Sequence, residues 1–428
     1  MIIEKLRSDK TGNNVRFTGN VIWEDCDRPM QEIYFETSEA FGVGLSCNPH
    51  AFLVACILPA MHHGERRVFI NEEIDPVLLN GLCVVMNWHK NWFEIDRDIV
   101  RIEARSMKNP YTPSRPRNAA IFLSGGIDSL ASLRHNHLTV PIEHPSYIRH
   151  GIFIQGQNIE SDNRQDTFAR ALPALSEVCS DAGISLLHVV TNIRELEPDT
   201  RFFMNQFHSA ILAATAHALV EKVSIASISA SDAIPNLKLM KINHVQPYGS
   251  HPLIDPNYGS SDLLIRHVST ELTRLYKTRL VADWPAGLKN IKVCQPNYPG
   301  ENCGRCEKCI RTMLGLIALD RLDKTQAFPD NDLSESLVSK VQIEKQHAKD
   351  SYSIELDYLE LIPPLMERGR KDLVRAIELI ISVSRFQVPN TLKEWAKRLD
   401  RRYLGGTLSK LKQLSRQGLS RIGRRSNK

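Results

Sequence analysis

The sequence predicts an α/β fold, a parallel doubly wound sheet with an N-terminal α+β domain before it and a helical C-terminal region after it. Three observations carry this. Residues 117–320 alternate strand and helix patterns, and the strands are continuous apolar runs, as in a parallel sheet covered on both faces. A proline-rich stretch, Asn109-Pro110-Tyr111-Thr112-Pro113-Ser114-Arg115-Pro116, marks a boundary in front of them. At 428 residues the chain is too long for a single core, so two or three domains are expected.

In the first 115 residues, Asn14–Trp23 and Gln31–Glu36 alternate like half-buried strands. Asn48-Pro49 opens a helix through Leu58, with Asn48 as cap and Pro49 in the first turn. Arg67–Ile70 and Ile99–Ile102 read as short strands, and Asp75–Trp92 as a helix. His62-His63 is the polar cluster of interest. Adjacent histidines diverge on most backbones, so a surface or interface role is expected in place of metal binding.

From 117 to 325 the strands read Asn118–Leu123, Gly151–Gln155, Ser185–Thr191, Val223–Ser227 and Leu263–Val268. Helical patterns cover Ile127–Asn136, Arg164–Ala182, Arg201–Leu219 and Thr270–Asp283. Ligands on such sheets bind at the carboxyl ends of the strands. The loops there are Ser124–Ser129, Gly156-Gln157-Asn158, Thr191-Asn192 and the long Gly/Pro-punctuated run after Ser229. That run is expected to recognise substrate, with Asp232, Ser250, His251 and Asp255 as its polar candidates. Residues 331–404 read as helices: Asp332–His347, Ser353–Leu365, Lys371–Phe386 and Thr391–Arg402. Residues 405–428 form a basic tail with no acidic residue, a surface for RNA, an acidic partner or a membrane surface, or simply a solvated helix end.

Composition narrows the class. A hydrophobic share of 42% with 24% charged residues excludes a disordered or fibrous chain, and a net charge of +5 is too mild to identify a partner. No apolar run reaches the roughly 18 residues of a membrane span, and the first residues lack signal-peptide order, so a cytoplasmic location is expected. Nine cysteines are then expected to be thiols or metal ligands.

Two motifs carry chemistry. Ser124-Gly125-Gly126-Ile127-Asp128-Ser129 follows a buried strand and opens a helix, which aims free backbone N–H groups at an anion. Two glycines let the chain approach a phosphate with no Cβ in the way. Ser124 and Ser129 add hydroxyls, and Asp128 can hold a metal ion or cap the helix. No lysine follows the glycines, which excludes a Walker loop. Lys277, on the last helix of the segment, has the reach for a carboxylate or phosphate. The second motif is Cys294, Cys303, Cys306 and Cys309, spaced C-x8-C-x2-C-x2-C. Four thiolates suit a closed tetrahedral zinc site; close spacing of three also suits an iron–sulfur cluster, and unliganded thiols are the third option.

The Ser-Gly-Gly-x-Asp-Ser loop resembles the pyrophosphate loop of N-type ATP pyrophosphatases, enzymes of the adenine nucleotide alpha hydrolase-like fold. Together with the cysteine spacing, it resembles the 7-cyano-7-deazaguanine synthase family (QueC) over residues 117 to about 320. The resemblance implies ATP with Mg²⁺ on Ser124, Gly125, Gly126, Asp128 and Ser129, and Zn²⁺ on the four cysteines. It implies a ligase that adenylates a deazaguanine carboxylate and passes it to ammonia. In longer relatives from antiphage operons it implies transfer to a protein amine, with antiviral defence as the setting. This chain departs in its added N-terminal segment, its helical C-terminus, its Asp232–Asp255 stretch and the position of Arg311. The expected partners are a small-molecule carboxylate and a protein acceptor or operon partner, with a homodimer compatible with the chain. Two further readings stand beside this one: a PP-loop thiolase acting on tRNA through a cysteine-bound cluster, and a non-catalytic zinc- and nucleotide-binding partner protein.

Overall fold

The computed structural model describes residues 1–38, 45–93, 95–107, 118–156, 164–234, 249–294, 300–342 and 351–386. The proline-rich boundary, positions 157–158 and 235–248 of the pocket loops, the helix expected over Thr391–Arg402 and the basic tail lie outside the described residues. Met1–Ile377 form one compact unit and Glu378–Lys428 a second.

The strands are β1 (Ile2–Thr11), β2 (Asn14–Ile22), β3 (Gln31–Ser38), β4 (Arg67–Ile74), β5 (Arg101–Ser106), β6 (Ala119–Phe122), β7 (Ile148–Gln155), β8 (Ser185–Thr191), β9 (Ile225–Ser229) and β10 (Leu264–Val268). All ten join one sheet in the order β10-β9-β6-β7-β8-β3-β2-β1-β4-β5. The helices are α1 (Pro49–His63), α2 (Pro76–Phe93), α3 (Ile127–Thr139), α4 (Arg164–Asp181), α5 (Thr200–Phe202), α6 (His208–Ala218), α7 (Arg274–Ala282), α8 (Pro285–Lys289), α9 (Glu307–Ala318), α10 (Glu335–Val338), α11 (Ser351–Leu359), α12 (Ile362–Glu367) and α13 (Lys371–Phe386).

The sheet is mixed and mostly parallel. From β10 to β8 every pairing is parallel, as the apolar runs predict. β3 lies antiparallel to β8, and β2 and β1 continue antiparallel before β4 and β5 return to parallel. The strands of residues 1–115 thus sit edge to edge with those that follow. The seam is short, pairing Phe35 with Thr191 and Glu36 with Val190, and side chains lengthen it. Thr37 Oγ1 donates to His188 O (2.6 Å), Thr191 Oγ1 to Tyr34 O (2.7 Å), and Tyr34 N to Asn192 Oδ1 (2.9 Å). One apolar core runs beneath both halves. Phe52, in the buried stretch His50–Met61 of α1, packs edge-on against Phe17 and Phe35, and the same cluster takes in Phe207 and Ile211.

α1 starts and stops where local chemistry dictates. Asn48 Oδ1 accepts from His50 N at 3.0 Å, Pro49 fills the first turn, and Gly64 (φ +83°) closes the helix left-handed. β1 is absent from the sequence reading because a bulge hides its alternation. Lys5 sits at φ +52°, and the register with β2 slips between Glu4 and Arg7. The helix expected over Arg201–Leu219 is interrupted by a π-helical turn, Phe203–Phe207. That expected over Ser353–Leu365 splits at Leu361, because Pro363 and Pro364 have no N–H to give the preceding turn. Of the expected helix Asp332–His347, only Glu335–Val338 forms among the described residues.

Candidate functional site

β6 is entirely buried between β9 and β7, and the chain leaves its carboxyl end at the point where neighbouring connections diverge to either side. The Ser124–Ser129 loop is there. Gly125 takes φ +76°, a conformation that strains any residue with a side chain, and a Cβ there would lie 3.2 Å from Lys292 Cβ. Lys292 N donates to Gly125 O (2.8 Å), tying the loop to the strand-like run that leads to Cys294. Gly126 caps α3 with no side chain of its own. Ser129 Oγ braces the turn: it lies 3.3 Å from Ser124 N and from Ser124 Oγ, and donates to Gly126 O at 3.1 Å. Leu130 N makes the first helical bond, to Gly126 O, so the amides of Ile127, Asp128 and Ser129 are the open donors of the helix start.

Asp128, the second residue of α3, meets α7. Arg274 Nη1 donates to Asp128 Oδ1 at 3.0 Å, and Lys277 Nζ stands 3.6 Å from the same oxygen. Burial works to raise the Asp128 pKa, but Arg274, Lys277 and Arg311 together outweigh it and hold the carboxyl below the usual range. Lys277 is wholly buried and donates to Ala230 O at 2.7 Å, at the carboxyl end of β9. It braces Asp128 from beneath; reaching an α-phosphate would require leaving Ala230 O.

α9 brings a second set of charges to the same place. Arg311 pairs with Glu307 (3.0 Å) and with Asp357 of α11, while Tyr358 Oη donates to Glu307 at 3.2 Å. Burial raises the Asp357 pKa despite Arg311 and Arg274. Lys308 is exposed, and its pKa is lowered, first by desolvation and then by Arg311. Arg274 Nε is buried without a hydrogen-bond partner.

The same helix begins at the four cysteines. Their Sγ atoms all lie within 4.8 Å of one another, with Cys303 and Cys309 at 4.0 Å. Backbone amides point at one sulfur: Arg305 N at 3.4 Å and Cys306 N at 3.3 Å from Cys303 Sγ. Gly304 makes this turn possible at φ +68°. Hydrogen bonding to Cys306 and burial push the Cys309 thiol up. Buried Asn302 fastens the arrangement. Its Oδ1 accepts from Val293 N (2.9 Å) and Cys294 N (3.1 Å), and its Nδ2 donates to Ile291 O (2.8 Å) and Ala327 O (2.7 Å). One side chain therefore sets Cys294 against the distant Cys303–Cys309 segment.

The loop after β9 is placed in part. Asp232 is half-buried just past the end of β9. Ser250, His251 and Asp255 do come together: buried Asp255 accepts from Ser250 Oγ (2.7 Å), His251 N (3.0 Å) and His267 Nδ1 (2.7 Å). This clamps the loop to the end of β10. Gly249 ties it to the π turn, donating to Met204 O (3.0 Å) and accepting from Ser209 N (3.0 Å).

A second ligand-like group stands apart. His62 and His63 do not diverge: both rings face Glu197, with Nε2 to Oε2 distances of 3.7 and 2.5 Å. Helix α1 ends there, and Gly64 turns the chain away. The Arg28 guanidinium lies against His63 Nε2 and 3.5 Å from Glu197, stacked over Trp23.

Arg274, Glu307, Lys308, Arg311, Asp357, His267 and Asn302 were not among the expected site residues. The helical spacing of Arg274 with Lys277 and of Glu307 with Arg311 was the available signal. Nothing local marks Asp357 or His267.

No family model matches the chain, and no curated protein matches it. Among solved structures it is similar to the U34-tRNA thiolase NcsA from Methanococcus maripaludis with its [4Fe-4S] cluster, at 15% identity, covering 58% of this chain and 74% of that one, with a TM-score of 0.26. At that score the likeness decides nothing about fold or activity.

Proposed function

We propose that the chain is an ATP-dependent ligase of the PP-loop type, which activates a carboxylate as an acyl adenylate and passes it to an amine. The observation that carries this is the Ser124–Ser129 loop itself, a strand–glycine–helix turn with open amides whose carboxylate, Asp128, is held by Arg274 and Lys277.

The residues divide the work. The loop amides and the start of α3 receive the pyrophosphate of ATP and stabilise the charge it gains on leaving. A carboxylate oxygen of the substrate bonds to the α-phosphorus as the bond to pyrophosphate breaks. The amine nitrogen then bonds to the acyl carbon, AMP departs with the electron pair, and the nitrogen loses a proton to solvent. Arg274 and Lys277 both face Asp128 Oδ1, and Asp128 would be the residue to hold a Mg²⁺ accompanying ATP. The metal supplies charge neutralisation when bound. Lys277 fixes Asp128 and the end of β9 in one position. Ser250, His251 and Asp232 border the substrate side, and Asp255 and His267 hold that border in shape.

For the cysteines, the four sulfurs suit one ion. A tetrahedron with metal–sulfur bonds near 2.3 Å needs sulfurs about 3.8 Å apart, close to the 4.0 Å between Cys303 and Cys309. A four-iron cube binds each cysteine to its own iron and needs a wider set. Zinc is the ion we assign, in a structural role that pins α9 to the sheet. A deazaguanine-type acid is the substrate class and ammonia or a protein amine the acceptor, both supported by the sequence resemblance alone.

The test is product analysis with a panel of carboxylic acids that includes 7-carboxy-7-deazaguanine. The reading predicts acid-dependent formation of AMP and pyrophosphate by a colourless, zinc-containing protein. Formation of ADP and phosphate, or a brown iron-containing protein that thiolates tRNA, would overturn it.

A further inference from the structure

His267, next to last in β10, stands at the carboxyl end of its strand. Its Nδ1 lies 2.7 Å from Asp255 Oδ2. Asp255 is wholly buried and also accepts from Ser250 Oγ (2.7 Å) and His251 N (3.0 Å). A carboxylate accepts and does not donate, so Nδ1 carries the ring proton and Nε2 of the neutral ring is a bare acceptor. The His267 side chain is 4% exposed, and among the described residues nothing bonds Nε2. Nδ1 of His50, His150 and His217 is buried without a partner, but His267 Nε2 is not such an atom; it lies at the exposed edge of its ring.

Contacts tie this strand end to the phosphate loop. Val268 O accepts from Ala230 N (2.9 Å), and Ala230 O accepts from Lys277 Nζ (2.7 Å). Lys277 Nζ in turn lies 3.6 Å from Asp128. Within the sheet His267 is level with Ile228 of β9, and β9 lies beside β6, from which the Ser124–Ser129 loop leaves. Two strand spacings make about 10 Å, less than the length of an acyl adenylate whose phosphate rests near that loop. On its other side the ring is anchored, through Asp255, to Ser250 and His251 at the substrate border.

We infer that His267 is the general base of the second half-reaction, its Nε2 taking the proton of the amine nitrogen as that nitrogen bonds to the acyl carbon. The inference rests on the acyl-adenylate reading and deepens it. The attacking nitrogen gains positive charge as the nitrogen–carbon bond forms. It becomes an amide when it gives up a proton and the AMP oxygen leaves with the electron pair. A base within hydrogen-bond reach removes that proton inside the step. The imidazolium then releases it to solvent at the exposed edge of the ring, which returns to neutral. Asp255 is the positioning residue: it fixes the tautomer and stabilises the imidazolium. The first half-reaction asks nothing of His267. There a carboxylate oxygen bonds to phosphorus, pyrophosphate leaves as an anion, and no proton moves.

The two half-reactions can be measured separately in the full chain. The acid is whichever member of the panel supports exchange of labelled pyrophosphate into ATP, and the nucleophile is ammonium chloride or hydroxylamine. His267→Gln keeps a donor for Asp255 and removes the base; His267→Ala leaves room for added imidazole. Exchange is expected to stay within about threefold of wild type in both variants. Amide formation from ammonia should fall about 100-fold or more, with partial recovery when imidazole is added to the Ala variant. Hydroxylamine is neutral at pH 7 and attacks without a base, so hydroxamate formation should fall far less. Amide formation at the wild-type rate, loss of exchange together with amide formation in both variants, or an equal loss with hydroxylamine would overturn the inference while exchange by the wild type upholds the acyl-adenylate reading. Wild-type protein that exchanges with no acid would overturn the reading itself, and the inference with it.

Discussion

Among the described residues two groups offer convergent metal-ligating atoms, and they are built differently. Around Cys294, Cys303, Cys306 and Cys309 the chain supplies backbone donors and an amide clamp. Arg305 N and Cys306 N point at Cys303 Sγ, and Asn302 ties Cys294 to the segment that carries the others. Around His62, His63 and Glu197 a cation is already present. Arg28 touches His63 and stands 3.5 Å from Glu197, so a divalent ion would have to displace it. Burial and then Arg28 lower the His63 pKa, against the raising effect of Glu197. Spacing of ligand atoms is thus not sufficient; a cation already set among them competes with an incoming ion.

The comparison can be broken from either side. The largest effect is expected for Cys306→Ser. If the cysteines hold a structural ion, metal content measured by mass spectrometry falls by about tenfold or more. The stability lost approaches the order of 10 kcal/mol typical of such sites. A variant that keeps its metal and its melting temperature would reduce the group to unliganded thiols.

Next in size is Asp128→Ala, which leaves Arg274 and buried Lys277 without their carboxylate. The adenylation rate is expected to fall on the order of 100-fold. A parental rate of pyrophosphate release would remove Asp128 from the mechanism.

Asn302→Ala is expected to cost about 3 kcal/mol, because it strands buried backbone groups of Ile291, Val293 and Cys294. Denaturant titration reads this directly, and a smaller effect would mean that the metal alone orders the segment.

Acid sensitivity comes next. Burial depresses the pKa of His50 to about 4 and of His89 and His217 to about 3, all in the core around α1, α2 and α6. Their folded pKa values lie below the unfolded value near 6.5, so below that pH the unfolded chain binds more protons than the folded one. Stability is therefore full above about pH 6.5 and declines as the pH falls toward about 3. Both His89 ring nitrogens are buried without partners. His89→Phe should flatten part of the decline in a series of unfolding midpoints, and an unchanged slope would exclude it as a source.

The smallest effect is Arg28→Ala. Removing the resident cation is expected to let His62, His63 and Glu197 take up about one additional zinc ion per chain. Unchanged stoichiometry would mean that the geometry, and not Arg28, keeps the ion out.

What was legible in the sequence was local. The phosphate loop announced itself because six adjacent residues follow a buried strand, and three of the four cysteines fall within seven residues. The parallel strands showed as apolar runs. β1 did not, since its bulge at Lys5 breaks the period of two on which strand reading depends. The charge cluster was hidden for a different reason. Arg274 reaches Asp128 across 146 positions, and Arg311 reaches Asp357 across 46. Asn302 carries no local signal, although its side chain makes four hydrogen bonds. Lys277 was visible as a cation, but its attachment to Ala230 O depends on α7 packing beside β9, which no pattern within α7 reveals.

Exchange of labelled pyrophosphate into ATP tests the central claim most directly. The wild-type chain, supplied with ATP, Mg²⁺ and the acid panel, is predicted to exchange only when one of the acids is present. Exchange should be lost with Asp128→Ala. No exchange with any acid, or exchange that Asp128→Ala leaves intact, would contradict the account.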